Sequence, residues 1–266
     1  GVRPLAAIEL LVEQINAAGG VKMANGQTLT LKVDSENDFG TVDGAVAAMR
    51  KLIEVKKVDA VVGGMMSSPV LANMDIAEQQ GMPYIITGAI ANGIGKKIAE
   101  RGYKYVFQSA PTSSARAAAD MQSIMDLLQP KKIYVIAQET DWGRDMAEGA
   151  LSFKNEKHPE LEVIVEYVPS GTTSYSSQLL KIQSEKPDVI YALLIGQELF
   201  SFMDQKYSTG DRTIVFGGSS TPASDIYVKT IGPEKADLTM MNLVWTPDVG
   251  GEAGQKFAEA YKNKTG

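Results

Sequence analysis

Residues 58–85 read VDAVVGGMMSSPVLANMDIAEQQGMPYI, and their pattern sets the fold class. A short apolar run, Ala60 to Val62, predicts a strand. Ser68-Pro69 then reads as a helix N-cap followed by the first helical residue, because proline's fixed φ suits that position and its missing N–H is not needed there. Gly81 predicts a left-handed stop, and Tyr84 to Thr87 the next strand. Two strands joined through a helix of this length are parallel, since a parallel pair needs a crossover of a dozen residues or more.

The same alternation extends in both directions. Upstream, Leu5, Ile8, Leu11, Val12 and Ile15 share one face of a helix that Pro4 can open and Gly19-Gly20 can close. Thr28 to Val33 follows as a strand, and Thr41 as N-cap to a helix carrying Val42, Ala45, Val46, Met49, Leu52 and Ile53. Downstream, strands are expected at Ile133–Ala137, Val163–Tyr167, Val189–Leu194 and Thr213–Phe216, separated by helical stretches. Such a chain is α/β, with parallel sheets covered on both faces.

Shifting the chain by 129 residues aligns 57–88 with 186–217 without a gap, and seven of the 32 positions are identical. About two are expected from average composition. Convergence of any two strand-helix-strand units would explain some of this. A duplicated lobe explains it too, and it has a functional consequence: ligands bind beyond the carboxyl ends of parallel strands, and two facing lobes bring two such edges together. At 266 residues the chain is long enough for two lobes.

Bulk properties exclude several classes of function. A net charge of −6, with no concentrated basic patch, argues against nucleic acid. No apolar run is long enough to span a bilayer, and residues 1–4 lack the layout of a signal peptide, so any export signal is expected to be absent from this chain. Zero cysteines and one histidine remove thiolate sites and metal sites built on several histidines. His158 precedes Pro159 in a polar stretch and reads as a surface loop residue. Gly93-Ile94-Gly95-Lys96-Lys97 lacks the earlier glycine and the hydroxyl of a phosphate-binding loop. Asp34, Glu36 and Asp38 alternate like calcium ligands, but Phe39 stands where that loop requires glycine and Ala45 where it requires glutamate. No cofactor, no metal and no catalytic residue is expected.

What remains at the strand ends is small and uncharged: Gly63 to Ser68, Thr87 to Asn92, and Gly217 to Ser220. Free N–H groups at the start of the helix after Ser68, with the hydroxyls of Ser67 and Ser68 beside them, suit a carboxylate. Ser68 is at least an N-cap; Ser67, just outside the cap, is free to point into a cleft. Trp142 follows a strand end, where its ring can close over a ligand, and the neighbouring Asp141 and Gly143 argue against a core position.

Ala6–Gly20 (AAIELLVEQINAAGG) and residues 58–85 resemble the first helix, and the third strand with its following helix, of type I periplasmic binding proteins of the Leu/Ile/Val receptor group. The resemblance runs over essentially the whole chain. It implies two Rossmann-like lobes with parallel sheets joined by a hinge, one lobe over residues 1–111 with 242–266 and the other over 112–241. The implied protein is no enzyme. It is a monomeric, periplasmic receptor that closes over a small molecule and is then recognised by the membrane permease of an ABC importer; a ligand-sensing regulatory domain is the alternative.

Carried over by position, the resemblance puts the carboxylate-binding serine at Ser67, the residues that hold the amino acid's polar groups at Ala89 and Ala91, and the covering aromatic at Trp142. The glutamate that neutralises the ligand's ammonium falls near Ser219, and a second aromatic near Ile195 or Gly196. Ligand contacts are therefore expected among Ser67, Ser68, Thr87, Ala89, Ala91, Trp142, Ile195, Gly196 and Ser219. Because Ala91 replaces a threonine and Ser219 a glutamate, a buried ammonium would lack its partner, which favours a small carboxylate, or another small polar organic or amino-acid-like ligand, with aromatic or aliphatic bulk over a branched-chain amino acid itself. Members of the group begin with a strand before the helix at Pro4 and continue past Tyr261, so this chain is expected to be part of a longer one, with some cleft contacts outside it.

Overall fold

A computed structural model describes residues 2–243 and 245–266; the expectations that begin at Gly1 or run through Val244 lie outside the described residues. Helix α1 (Val2–Ala17) starts two residues before Pro4, which the first turn tolerates because N–H groups there have no helical partner. It ends at Gly19 and Gly20, both at positive φ. On its apolar side Leu10 is buried, whereas Leu11 and Ile15 are exposed.

Strands β1 (Val21–Lys22) and β2 (Thr28–Leu29) make a small antiparallel hairpin. The strand read over Thr28–Val33 is thus corrected to two residues. Beyond Leu29 the backbone finds a side chain in place of a ladder: Asn16 donates to Leu31 O and accepts from Leu31 N–H, both at 2.8 Å. Thr41 caps α2 (Val42–Arg50) through a hydrogen bond from the Gly44 N–H, as its position suggested, and a π-helical turn over Lys51–Val55 continues the helix.

Next come β3 (Val61–Gly63), α3 (Ser67–Gln79), β4 (Tyr84–Ile86), α4 (Asn92–Arg101) and β5 (Val106–Gln108), with the strands parallel in the order β3-β4-β5. Helix α3 begins two residues earlier than read: Met66 is the cap and Ser67 the first helical residue, so Ser68 is not the N-cap. Gly81 takes the left-handed conformation expected of it. One face of this sheet sends Tyr84, Ile86 and Val106 into a core with Met49, Val70, Met74, Ala77 and Ile94. On the other face Val62, Ile85 and Phe107 stand in register as a row, 46%, 39% and 54% exposed.

The second sheet is larger. It is built from α5 (Ser113–Leu128), β6 (Lys132–Gln138), α6 (Asp141–Lys157), β7 (Glu162–Val168), α7 (Ser176–Glu185), β8 (Val189–Leu193), α8 (Gln197–Ser208), β9 (Ile214–Gly217), α9 (Asp225–Ile231), α10 (Pro233–Ala236) and β10 (Thr239–Met240). Its five strands are all parallel, in the order β10-β9-β8-β6-β7. Strands β6 to β9 agree with the sequence reading to within one residue at each end. Alternate side chains of β6 serve opposite cores, as a two-sided strand requires: Ile133, Val135 and Ala137 pack toward α5 and α6, Tyr134 and Ile136 toward α7 and α8.

The internal repeat has a structural counterpart. Lys57 and Lys186 both sit at positive φ (55° and 50°), and so do Gly81 and Gly210. The two units differ in register: Val61 pairs with Tyr84, but the corresponding Ile190 pairs with Val215, two residues beyond the position equivalent to Tyr84. An even slip keeps every side chain on its own face.

The chain returns at Asn242, which donates to Ala119 O and Asp120 on α5 and accepts from Arg116 through its carbonyl. Helix α11 (Gly251–Thr265) then lies against α1, with Lys264 paired to Glu13 and Phe257 edge-on to Trp245.

Candidate functional site

The carboxyl ends of β3 and β4 meet the second sheet through α6, which touches both α3 and α4. Ser67 is 6% exposed, and its Oγ accepts the Ala91 N–H at 3.2 Å. It lies inside the helix rather than outside the cap, so it ties the start of α3 to the start of α4. Ala89 and Ala91 are fully buried, and the Ala89 N–H is bonded to Gly64 O at 2.9 Å. Ala89 O accepts from Gln108 at 3.2 Å. Thr87 is exposed, with its N–H on Gly63 O.

Gly64 shows why this edge is built of small residues. At φ +89° it already needs glycine, and a Cβ would fall 2.4 Å from Val70 and 2.6 Å from the Tyr84 hydroxyl.

Trp142 corrects an expectation. Its ring is only 9% exposed and packs into the core between α6 and the second sheet, where half-buried Ile90 and Ile195 also pack. Asp141 and Gly143 do not prevent this, because at a helix start the carboxylate turns outward while the next side chain turns in. Gly196 and Ser219 meet at Thr221. Ser219 Oγ donates to Leu194 O at 2.8 Å and accepts from Thr221 N–H at 3.3 Å, while Gly196, at φ 58°, donates its N–H to Thr221 Oγ1 at 2.9 Å.

Four functional-looking groups escaped the sequence reading. Asp141 accepts from Ser68 Oγ at 2.7 Å, and Asp145 from the Asn92 N–H at 2.6 Å, both across the gap between the sheets. Burial pushes the Asp145 carboxyl above its ordinary value; the Asn92 N–H pulls it down, and the charges of Glu148 and Asp141 add to the rise. Their spacing, four residues apart on a helix that opens at a strand end, is the signal that could have found them. The other two are Gln138 and Glu198. Glu198, 7% exposed at the start of α8, accepts from Gln138 and from the Gly171 N–H, and Gln138 Oε1 is buried without a partner among the described residues.

Nothing here assembles a metal centre: among the described residues no group of three or more histidines, cysteines or carboxylates could hold an ion. His158 caps the carboxyl end of α6, about 26 Å along the helix from Asp141 at 1.5 Å per residue, and stacks on Phe153. No described helix is long and apolar enough to cross a membrane.

Residues 3–266 match the family model of the periplasmic binding proteins. The chain belongs to the periplasmic binding protein family. Within it, Leu/Ile/Val-binding protein homolog 8 of Brucella abortus (strain 2308) is 28% identical over 97% of this chain, which spans 64% of that relative's length. Periplasmic binding proteins of known structure share the fold. The branched-chain amino acid transporter substrate binding protein LivJ from Streptococcus pneumoniae, in complex with isoleucine, superposes with a TM-score of 0.82 at 22% identity, covering 100% of this chain and 72% of the other. An R. palustris ABC transporter solute binding protein in complex with benzoate gives 0.74 at 21%, covering 98% and 69%. As in those type I binding proteins, parallel α/β sheets carry the architecture.

Proposed function

We propose that this periplasmic binding protein is the extracytoplasmic solute receptor of an ABC importer. It works as a monomer, with residues 1–111 and 242–266 as one lobe and 112–241 as the other, closing over its ligand and presenting the closed form to a membrane permease. The ligand is a small organic carboxylate with aliphatic or aromatic bulk, other than a branched-chain amino acid.

One observation carries this reading: the start of α3, with buried Ser67, faces the second sheet across the site and has no cap side chain of its own. Unsatisfied N–H groups and the helix dipole favour a carboxylate there. The isoleucine and benzoate held by the two structural neighbours have a carboxylate and an apolar body in common. Against an ammonium, Ser219 spends its hydroxyl on Leu194 O, Ala91 has no side-chain acceptor, and the α6 carboxylates already have partners.

A thermal-shift panel of amino acids and their desamino, hydroxy and aryl acid counterparts tests it, since a ligand that binds the folded state must raise the melting temperature. Stabilisation by acids that lack an ammonium is expected. Stabilisation by leucine alone overturns the ligand assignment, and none by any compound overturns the receptor reading.

A further inference from the structure

Helix α6 places two carboxylates one turn apart against the starts of two different helices on the opposing lobe: Asp141 on Ser68 of α3 and Asp145 on the Asn92 N–H of α4. A helix begins with N–H groups that its own backbone cannot satisfy, and with a partial positive charge. Neither α3 nor α4 supplies its own cap, because Met66 and Ala91 stand at those positions without a side-chain hydrogen bond. Helix α6 is capped locally, by Thr140 on the Gly143 N–H at 3.2 Å, so its acids are not needed at home.

We propose that Asp145 caps α4 in trans as a fixed point, and that Asp141, through the Ser68 hydroxyl at the start of α3, latches the lobes together in the empty protein. This rests on the two-lobe reading above. The two contacts differ in kind. Asn92 is also bound to Ser114, at the start of α5, through reciprocal hydrogen bonds of 2.7 and 3.1 Å, and the Ser113 N–H reaches Ile90 O at 2.6 Å. Asp145 therefore grips a loop already fixed to the crossing between the lobes, and its bond persists as they move. The Ser68–Asp141 bond has no such support and is the one that breaks when they part. Ser68 adjoins Ser67 at the helix end assigned above to the ligand carboxylate. Asp141 thus holds, in the empty protein, the place the ligand's anion takes in the bound one.

The chain has no cysteine, so Gln79→Cys and Glu156→Cys, both exposed, carry a unique pair of spin labels on α3 and α6. Interlobe distances are measured in the intact protein without ligand, in the parent and in Asp141→Ala, Ser68→Ala and the double variant. A hydrogen bond to a charged group is worth enough to shift the closed-to-open ratio about tenfold. Each single variant is expected to lose the short-distance population to that degree, the double variant no more than either, and Asp141→Ala to bind the carboxylate ligand more tightly. Ser68→Ala removes a single hydroxyl and guards against a folding defect in Asp141→Ala. Unchanged distributions in both singles overturn the latch. Ligand that shortens the distance equally in parent and variants, with coinciding empty distributions, overturns the latch alone; no shortening by any carboxylate in the parent or in the variants overturns the receptor reading with it.

Discussion

The Tyr191 hydroxyl donates to the Asp120 carboxylate at 2.8 Å, joining β8 to α5 where neither residue meets solvent. Burial pushes this carboxyl up, opposed by the Arg116 charge and by hydrogen bonds from Tyr191, Asn242 and Arg116. Asp120→Ala takes the carboxylate partner from the Arg116 guanidinium and from a buried phenol, and removes one of the bonds that hold the returning chain at Asn242. A loss of about 3–5 kcal/mol is expected in urea unfolding. A loss below about 1 kcal/mol, the scale of an exposed ion pair, would show that the network contributes little.

Ser67→Ala removes the acceptor of the buried Ala91 N–H. The expected loss is about 1–3 kcal/mol of stability, together with weaker binding of any carboxylate found in the thermal-shift panel. Calorimetric titration showing undiminished affinity would exclude Ser67 from the ligand site.

Gly143→Ala acts through geometry. Its Cβ would fall 2.0 Å from Gln138 O, a backbone atom of β6. The start of α6 must shift and carry Asp141 and Trp142 with it. About 1–3 kcal/mol of destabilisation is expected, with a fall in near-ultraviolet circular dichroism from Trp142. A variant with unaltered melting and dichroism would refute the close contact.

Asp75 sets the acid response of the first sheet's outer helices. Burial alone would raise its carboxyl, yet hydrogen bonds from Lys97 and Tyr103 and the charges of Lys97 and Arg101 hold it below the ordinary value of 3.8. A depressed folded-state pKa stabilises above the unfolded pKa, and that contribution is lost as pH falls through the folded value. Asp75→Asn should therefore be less stable than the parent at neutral pH, with the difference shrinking below pH 3.8. Denaturant titrations across that range check the sign, and a difference that grows on acidification would contradict it.

Much of this architecture was legible in the sequence, for identifiable reasons. Strands β6, β8 and β9 are apolar on both faces, β7 alternates, and all four are bounded by turn residues, so their limits follow from composition and pattern. Strand β5 was missed because it is three residues long and half exposed, too short to show a period. Thr28–Val33 alternates like a strand, but its pairing is decided by Asn16, distant in sequence. The small residues stand at the ends of β3, β4 and β9, where the sequence put them. Trp142 was misplaced because polar neighbours in sequence were taken for polar neighbours in space. Asp120 shows in the sequence only its i,i+4 pairing with Arg116, since its other partners Tyr191 and Asn242 lie 71 and 122 residues away.

The exposed row of Val62, Ile85 and Phe107 has a different consequence. Among the described residues the second sheet is sealed on both faces, with a core above and another below, whereas the first has a core on one face only. Heat should therefore not melt these 266 residues, taken by themselves, in one step. The thinner half is expected to lose its cooperative structure at lower temperature, and the protein to pass through a state in which residues 112–241 remain folded while the first sheet is already an open chain.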